Sequence, residues 1–373
     1  MELKRITLPF VVREPVLALG AQTKNTLCFT QGSSAYLTGL HPDLSNPKDF
    51  ADFKKDLSVL LKKDPQVIAY DLHPEYQSTK EAFKLSAYGY RIVGVQHHHA
   101  HLTACMAENG VRNQRVIGVA FDGTGLGDDN SLWGGEFLVC DYGLFKRRAH
   151  LKEIPLLGLA QAIREPWRLA AAWLYQIYKD RFLEQRINFI EGVDKRKWRV
   201  LKNMYAVGIN SPLTSSMGRL FDAVASLVLR KYKAGFEAEL ALELERLSLS
   251  YRGKARPYLF RISLRQGRYI IDPAPLFKEV IKNLKSGVLK EEIAYRFHLG
   301  VAGMVEKVAG LLRKESGINK VALCGGVFQN NLLTRLSQES LERAGFAVLG
   351  PRKLSPSDSG ISLGQAAVAH FKE

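Results

Sequence analysis

Residues 92–101 read Ile-Val-Gly-Val-Gln-His-His-His-Ala-His, so four histidines follow directly after a short apolar run. The run 92–95 is typical of a buried strand. The histidines open a segment, 97–109, whose pattern predicts a helix. His97 and His101 are four residues apart, so their rings share one helical face. The stretch therefore predicts a strand that leads into a helix carrying paired imidazoles at its start.

The spacing of His97 and His101 is the one that two imidazoles need to bind one metal ion. Hydrogen-bonded histidines in a cleft without a metal are the alternative. Asp122 follows a predicted strand at 116–121, and Asp358 precedes the predicted last helix. Two histidines and two aspartates would suit Fe(II) or Zn(II), with room for a substrate oxygen. For Asp358, a simple helix N-cap is the alternative.

Three glycine-containing segments are candidates for nucleotide binding. Residues 122–127, Asp-Gly-Thr-Gly-Leu-Gly, leave backbone N–H groups free for an anion, although a plain hairpin turn fits equally well. Residues 324–330, Cys-Gly-Gly-Val-Phe-Gln-Asn, lie between a predicted strand and a predicted helix, which suits a phosphate. Gly218 and Asp222 are four residues apart at a predicted helix start. They would meet a ribose, or would belong to an ordinary capped helix.

The 373 residues have an ordinary composition, 46% hydrophobic and 24% charged, which excludes collagen-like, disordered and disulfide-dense classes. No apolar run approaches the ~20 residues of a membrane span, and we expect a cytoplasmic protein. The four cysteines are widely spaced, so reduced buried thiols are expected. The net charge of +16 fits a phosphorylated ligand, an acidic partner or a heat-adapted surface. The basic residues are dispersed, which argues against direct nucleic-acid binding.

The order of predicted elements indicates an α/β fold of mixed sheets and flanking helices, with a ligand cleft between two lobes. We place the N-terminal lobe at residues 1–155 and the C-terminal lobe at residues 156–373. In the first lobe we expect a hairpin formed by 27–30 and 35–40. We also expect a helix at 78–87, with Ser78 as its N-cap and Glu81 completing a capping box.

The remaining predicted elements alternate between strands and helices along the whole chain. After the strand 116–121 we expect a loop over 122–129, and after residue 164 a mostly helical middle that continues to 249. The others are strands at 16–20, 67–70, 132–141, 321–324 and 347–349, a small β insertion at 252–272, and helices at 49–62, 275–285, 291–316, 329–344 and 361–371.

These segments together resemble the C-terminal transferase module of the HypF family of hydrogenase-maturation carbamoyltransferases. That module is related to the tRNA threonylcarbamoyl transferase TsaD and to antibiotic O-carbamoyltransferases. The resemblance covers nearly the whole chain, and several of its motifs are long. It is carried by residues 20–26, 71–76, 95–101, 121–125, 132–137, 163–168, 215–225, 325–330 and 360–365.

The resemblance implies an actin-like, two-lobed ATPase-type fold, built from duplicated ribonuclease H-like units with a helical middle segment. It implies that one divalent metal, iron or zinc, is held by His97, His101, Asp122 and Asp358. It also implies a nucleotide site, with magnesium as a possible companion ion. The residues of that site would be Lys24, Asn25, Gly123, Thr124, Gly125, Gly218, Asp222, Gly325, Gly326 and Asn330.

The implied reaction is carbamoyl transfer from carbamoyl-adenylate, the ATP-derived intermediate that leaves AMP. The acceptor in this family is the C-terminal cysteine thiolate of HypE, in the synthesis of the cyanide ligand of [NiFe]-hydrogenase. The adenylate would come from a YrdC-like domain on another chain or a missing segment. An O-carbamoyl- or tRNA threonylcarbamoyl transferase is one alternative, and a non-catalytic maturation scaffold is another.

The chain departs from the family pattern at three places, none of which removes a proposed metal ligand. The usual Gly-Gly-Asp reads Gly-Leu-Ala at 158–160, and the usual Glu-Gly-Gln reads Glu-Ala-Glu at 237–239. The usual Asn-Asp-Gly-Gly reads Ser-Asp-Ser-Gly at 357–360. These changes put the details of nucleotide and acceptor binding in question.

Overall fold

The computed structural model describes residues 3–372. Its strands are β1 Lys4–Ala18, β2 Thr23–Asn25, β3 Cys28–Leu37, β4 His41–Asp43, β5 Val67–Asp71, β6 Arg91–Val95, β7 Val116–Leu126, β8 Leu132–Cys140, β9 Phe145–Leu151, β10 Ile154–Pro155, β11 Leu213–Thr214, β12 Arg261–Arg265, β13 Arg268–Asp272, β14 Lys320–Cys324 and β15 Ala347–Leu349.

Helices connect the strands and make up most of the middle of the chain, as predicted. They are α1 Pro47–Leu61, α2 Gln77–Ala87, α3 His97–Glu108, α4 Ala160–Arg164, α5 Trp167–Tyr178, α6 Asn188–Glu191, α7 Lys195–Val207, α8 Met217–Leu229, α9 Glu239–Ser250, α10 Ala274–Lys285, α11 Lys290–Ser316, α12 Asn331–Arg343 and α13 Ile361–Phe371. Short 3₁₀ segments lie at Lys179–Glu184, Gly326–Gln329 and Asp358–Gly360. Within residues 3–372, no helix is both long and apolar enough to cross a bilayer.

Two mixed sheets form the centres of the two lobes. The first has the order β3-β1-β5-β6, and the second runs β12-β13-β9-β8-β7-β14-β15. In the first sheet β1 is antiparallel to β3 and parallel to β5. In the second, β7 lies between antiparallel β8 and parallel β14. The predicted two-lobed α/β fold is therefore confirmed.

The second sheet contains strands from both sides of residue 155, since β7, β8 and β9 precede it and β12 to β15 follow it. The last helix, α13, returns to pack on α3 and on strands of the first sheet. The division of the chain at residue 155 stays a prediction.

The predicted hairpin at 27–30 and 35–40 is wrong. These residues belong mainly to one strand, β3, which pairs with β1 along its length. Gly32 lies in the middle of β3 with φ +56°, opposite Val12, where the strand register shifts. The glycine therefore makes an irregularity within a strand and does not end it.

The predicted loop at 122–129 is wrong in its first half. Strand β7 continues to Leu126 and pairs again with β8 at Gly125 and Leu126, after a register shift that follows Phe121. The glycines form a bulge in a paired strand, because β8 supplies partners that the local sequence does not reveal. The bulge begins at Asp122, directly after Phe121, the last residue that pairs in the regular register.

The predicted cap of α2 is also wrong. The helix begins at Gln77, and the Ser78 hydroxyl donates to the carbonyl of Gly20 instead of capping it. The Glu81 carboxylate forms ion pairs with Lys54 and Lys84. Ser78 therefore ties the helix to the loop after β1.

Two further predictions in the second lobe differ from the structure. Helix α12 begins at Asn331 and not at residue 329, because residues 326–329 form a 3₁₀ turn. In the predicted insertion at 252–272, only β12 and β13 are strands, and β13 joins the main sheet beside β9. The insertion therefore extends the second sheet.

Candidate functional site: a His/Asp cluster beside a cavity

His97 and His101 lie on the first turns of α3, which begins directly after β6. The Gln96 side chain caps this helix by accepting the N–H of His99 at 3.0 Å. The two rings are 5.0 Å apart between centroids, and both side chains are buried. The sequence prediction that they share one face is confirmed.

Asp122 and Asp358 meet these histidines from two other parts of the chain. The Nε2 atoms of His97 and His101 lie 3.3 and 3.2 Å from Asp122 Oδ2. They lie 3.9 and 3.5 Å from Asp358 Oδ1. One ligand atom from each of the four side chains falls within 4.8 Å of the others. Asp358 is directed at the histidines and makes no N-cap hydrogen bond.

These spacings fit a bound metal ion. Two ligand atoms that each lie about 2.1 Å from a zinc or iron ion are separated by roughly 3.0–3.5 Å. His101 Nε2 is buried without a hydrogen-bond partner, as expected for an atom that binds a metal. The two imidazoles and two carboxylates are suitable ligands for either metal.

Asp71, at the end of β5, orients His97 from behind. Its Oδ2 lies 2.8 Å from His97 Nδ1, so that Nδ1–H donates and Nε2 faces Asp122 and Asp358. Burial opposes protonation, but Asp71 and Asp122 raise the pKa of His97 well above its ordinary value. The sequence prediction missed this role of Asp71.

Asp122 links the cluster to the glycine segments. Its Oδ1 accepts the N–H groups of Gly123 at 2.8 Å and Gly326 at 3.2 Å. Burial favours the neutral acid, but the adjacent imidazoles of His101 and His97 hold the pKa of Asp122 well below its usual range. A Cβ at Gly326 would approach Oδ1 to 2.9 Å, so the contact needs a glycine.

A cavity of about 380 Å³ adjoins this carboxylate, and its volume lies within the range of small-molecule sites. Of the predicted nucleotide residues, Lys24, Gly123, Gly218, Asp222, Gly326 and Asn330 line it. Its other lining residues were missed by the sequence prediction and include Arg219, Phe221, Phe236, Glu237, Ala238, Ala241, Leu242, Glu245, Val327 and Gln329. Charged side chains and apolar side chains therefore share one cavity.

The start of α8 forms one wall of the cavity. Ser216 caps the helix, and its hydroxyl lies 2.7 Å from the carbonyl oxygens of both Asp122 and Gly123. A Cβ at Gly218 would approach the Gly123 Cα to 3.0 Å, so the glycine lets the helix reach the β7 bulge. Asp222 follows one turn later, as predicted.

Arg219 and Asp222 are buried beside each other, and some of their polar atoms have no hydrogen-bond partner. Arg219 Nε lies 3.3 Å from Asp222 Oδ2, and neither atom makes a hydrogen bond. Burial raises the pKa of Asp222 above its usual range, although Arg219 opposes this. A ligand hydroxyl in the cavity would satisfy these buried groups.

Asn330 is held at the base of the cavity by a buried histidine. Its Nδ2 donates to His298 Nε2 at 3.0 Å, and its Oδ1 accepts the Leu333 N–H at the start of α12. Burial lowers the pKa of His298 to about 4, so the imidazole is neutral and can accept. One N–H of the Asn330 amide is left for the cavity.

Four predicted nucleotide residues do not line the cavity. Asn25 is buried, and its amide donates to the carbonyls of Leu19 and Ala21. Gly125 lies against the rings of His97 and His98, where a Cβ would be 2.9 and 2.5 Å away. Direct nucleotide contacts stay a prediction for these residues and for the other two, Thr124 and Gly325.

Fold and site together define a two-lobed α/β protein with a His/Asp cluster beside a cavity of small-molecule size. The family model described as "HypF Kae1-like domain" matches residues 12–108. The model described as "Carbamoyltransferase, Kae1-like Domain, second subdomain" matches residues 118–365. The chain belongs to the HypF family.

Named relatives also match the chain over almost its whole length. Carbamoyltransferase HypF2 of Cupriavidus necator is 36% identical over 95% of this chain, which covers 46% of that protein. HypF of Synechocystis is 35% identical, with 96% and 48% covered. A carbamoyltransferase HypF homolog of C. necator is 35% identical, with 95% and 91% covered. The chain thus spans about half of the first two relatives and nearly all of the third.

Two solved structures share the fold. A full-length HypF in a phosphate- and nucleotide-bound form superposes with a TM-score of 0.91 and 39% identity. It covers 98% of this chain, which spans 57% of that chain. HypF of T. kodakarensis gives a TM-score of 0.87 and 29% identity, with 98% and 49% covered.

Proposed function

We propose that this chain transfers a carbamoyl group from carbamoyl-adenylate to a cysteine thiolate of a partner protein. The position of Asp122 carries the proposal. Its Oδ2 faces both histidines of the cluster, and the same residue lines the 380 Å³ cavity. A nucleotide in this cavity would have its reactive phosphate end beside the cluster.

The cavity has the chemistry that an adenylate needs. The buried Asp222 and Arg219 suit ribose hydroxyls, and the apolar side chains of Phe221 and Leu242 suit a base. Lys24 brings a positive charge, and the start of α8 at Gly218 favours an anion. We assign AMP, as the leaving nucleotide, to this cavity.

The cluster would hold one divalent ion, iron or zinc, through His97, His101, Asp122 and Asp358. When bound, the ion would polarise the carbamoyl oxygen as a Lewis acid. The protein's own residues orient the ligands. Asp71 fixes the His97 tautomer, and the N–H groups of Gly123 and Gly326 fix the Asp122 carboxylate.

The nucleophile would come from the partner. All four cysteines, Cys28, Cys105, Cys140 and Cys324, are buried, and burial raises their pKa values. Such thiols are poor nucleophiles at neutral pH. We propose a HypE-type protein with a C-terminal cysteine as the acceptor. A YrdC-like protein or domain outside this chain would supply the adenylate.

A reconstitution tests the proposal. The purified chain is loaded with iron or zinc and mixed with a YrdC-like enzyme, its substrates and a HypE-type acceptor. Mass spectrometry of the acceptor is expected to show a carbamoylated C-terminal cysteine. His101→Ala and Asp222→Ala are expected to abolish or strongly reduce the product, because they remove a cluster ligand and a cavity carboxylate. His370→Ala, a histidine outside both groups, is the matched control.

Three outcomes would contradict the proposal. Acceptor that binds without being modified would favour the scaffold alternative. Modified tRNA adenosine, with an unmodified thiol, would favour the threonylcarbamoyl transferase alternative. Equal activity of the His101→Ala variant would remove the cluster from the reaction.

A further inference from the structure

Arg219 lies in the first turn of α8 and lines the cavity, and it is only 2% exposed although it carries a charge. Its Nε and Nη1 atoms are buried and have no hydrogen-bond partner within residues 3–372. Its Nη2 lies 3.7 Å from Oε1 of the exposed Glu237, which is beyond hydrogen-bond distance. A buried charge without hydrogen bonds is costly, so this guanidinium points to a ligand.

The ribose hydroxyls that we assign to Asp222 and Arg219 would use only part of the guanidinium. A guanidinium has five N–H donors in a planar fork and no acceptor. An ionised carboxylate only accepts, so Asp222 is the natural partner for the hydroxyl protons. A phosphate offers several charged oxygens and matches the fork with two parallel hydrogen bonds. The remaining donors of Arg219 therefore suit a phosphate.

The guanidinium lies between the two ends of the proposed nucleotide. At the ribose end, its Nε is 3.3 Å from Asp222 Oδ2. At the other end, its Nη2 is 3.3 Å from the point that a Cβ on Gly123 would occupy. Gly123 directly follows the cluster ligand Asp122, and its N–H donates to that carboxylate at 2.8 Å. The phosphate of an adenylate joins the ribose to the carbamoyl group, so it falls in this interval.

A second cation lines the same cavity from the first lobe. Lys24 belongs to β2, and Thr26, two residues later, donates from its hydroxyl to the carbonyl of Ser359 at 2.9 Å. Ser359 directly follows the cluster ligand Asp358. This contact ties the segment that carries Lys24 to the turn that carries a cluster ligand. Lys24 and Arg219 therefore bring positive charge to the cavity from two lobes.

We propose that Arg219 is the phosphate-binding residue of this cavity, and that it makes the site prefer adenosine 5′-phosphates to adenosine. The inference rests on the proposed function, which assigns AMP to the cavity. The planar fork of the guanidinium holds two phosphate oxygens, and its charge balances the phosphate charge away from water. The phosphate in turn supplies the hydrogen bonds that the buried guanidinium lacks.

Arg219→Gln tests the proposal because it removes the charge and the fork but keeps a polar side chain. Calorimetric titration with AMP and with adenosine measures the preference. We expect AMP affinity to fall by about 10- to 100-fold, the usual contribution of hydrogen bonds to a charged group. Adenosine affinity and metal content should be nearly unchanged, because adenosine has no phosphate and the cluster keeps its ligands.

Two further variants separate the phosphate contact from general effects of charge. Arg219→Lys keeps the charge as a point without the planar fork, so it should keep part of the preference for AMP. Arg230→Gln is the matched control, since it removes an exposed arginine at the other end of α8, outside the cavity. It should bind both ligands as the original chain does.

The possible failures can be told apart. If the original chain binds neither AMP nor adenosine, the assignment of a nucleotide to the cavity fails first, and this inference fails with it. If the original chain binds AMP and Arg219→Gln keeps the same ratio of the two affinities, only the role of Arg219 is overturned. An equal loss of both affinities in that variant would show a structural role or a ribose contact alone, and would also overturn it.

Discussion

Asp71 is the residue that most directly sets the chemistry of the cluster. Its contact with His97 Nδ1 leaves Nε2 free to bind a metal. Replacing it with asparagine keeps the shape but removes the charge that raises the ligand's basicity. We expect Asp71→Asn to weaken metal binding by about 10- to 100-fold, the usual effect of losing such a partner. Competition with a chromophoric chelator measures this.

Asp56→Asn is a matched control for that measurement. Asp56 also pairs with a buried histidine, His41, at 3.2 Å, but neither belongs to the cluster. Its variant should bind the metal normally. Equal affinity of the Asp71→Asn variant would show that the carboxylate does not tune His97.

Ala238 has a strained backbone conformation, and it lies at one of the places where the chain departs from the family pattern. It has φ +64°, and the resemblance to the HypF family implies a glycine at this position. Leu159, in the other altered glycine motif, has φ +52°. A side chain in this left-handed region costs about 1 kcal/mol. Both departures therefore keep a backbone conformation that suits glycine and replace the glycine itself.

Ala238→Gly is expected to raise the free energy of unfolding by up to about 1 kcal/mol, because the strain is relieved. Ala241→Gly, three residues later inside α9, should lower it by roughly 0.5–1 kcal/mol. Both residues line the cavity, so urea unfolding of the pair isolates the backbone effect. A loss of stability in both variants would contradict the strain.

At the scale of elements, the approach of α13 to α3 builds the cluster. A Cβ at Gly364 would lie 1.8 Å from the Ala100 carbonyl oxygen, so the helices cross with no room for a methyl group. Helix α3 carries His97 and His101, and the turn before α13 carries Asp358. The glycine thus sets the distance between two groups of ligands.

We expect Gly364→Ala to lower the free energy of unfolding by about 1–3 kcal/mol, the usual cost of overpacking, and to weaken metal binding as well. Gly303→Ala is the matched control in helix α11, where nothing lies within 4 Å of an added Cβ. It should be neutral or slightly stabilising. Thermal unfolding and metal titration of both variants give the comparison. Unchanged metal affinity in Gly364→Ala would contradict the coupling.

Most elements were predictable from sequence because their apolar periodicity is strong. Helices α1, α10, α11 and α13 lie within two residues of their predicted bounds. The failures occur where a distant strand decides the outcome, as in β7, whose Gly125 and Leu126 pair with Trp133 and Leu132 of β8. Ser78 likewise finds a tertiary partner, the Gly20 carbonyl, in place of its own helix.

The site was predictable to the extent that local spacing or family motifs carry it. His97 and His101 follow from helical spacing. Asp122 and Asp358 follow from their places after a strand and before the last helix, and the resemblance implies all four as one ligand set. Asp71 and Arg219 were missed, because their roles depend on contacts with other residues of the folded chain. Only folding shows which carboxylate faces an imidazole and which arginine lines a cavity.

At the scale of the whole molecule, the cluster gathers ligands from distant parts of the chain. His97 and His101 come from α3, Asp122 from the second sheet, and Asp358 from the turn before the last helix. A metal ion that binds all four therefore binds the folded chain far better than the unfolded one. Metal binding should stabilise the global fold as well as the local site.

Metal removal is therefore expected to lower the Tm of the whole molecule. With free metal at about 100 times its Kd, the added stability is about 2.7 kcal/mol at 25 °C. Scanning calorimetry of the metal-loaded and chelator-treated chain measures the difference. His101→Ala should lose most of it, and His370→Ala, which changes a histidine outside the cluster, should keep it. An equal metal-dependent shift in His101→Ala would place the stabilising ion elsewhere, since that variant lacks one of the four ligands.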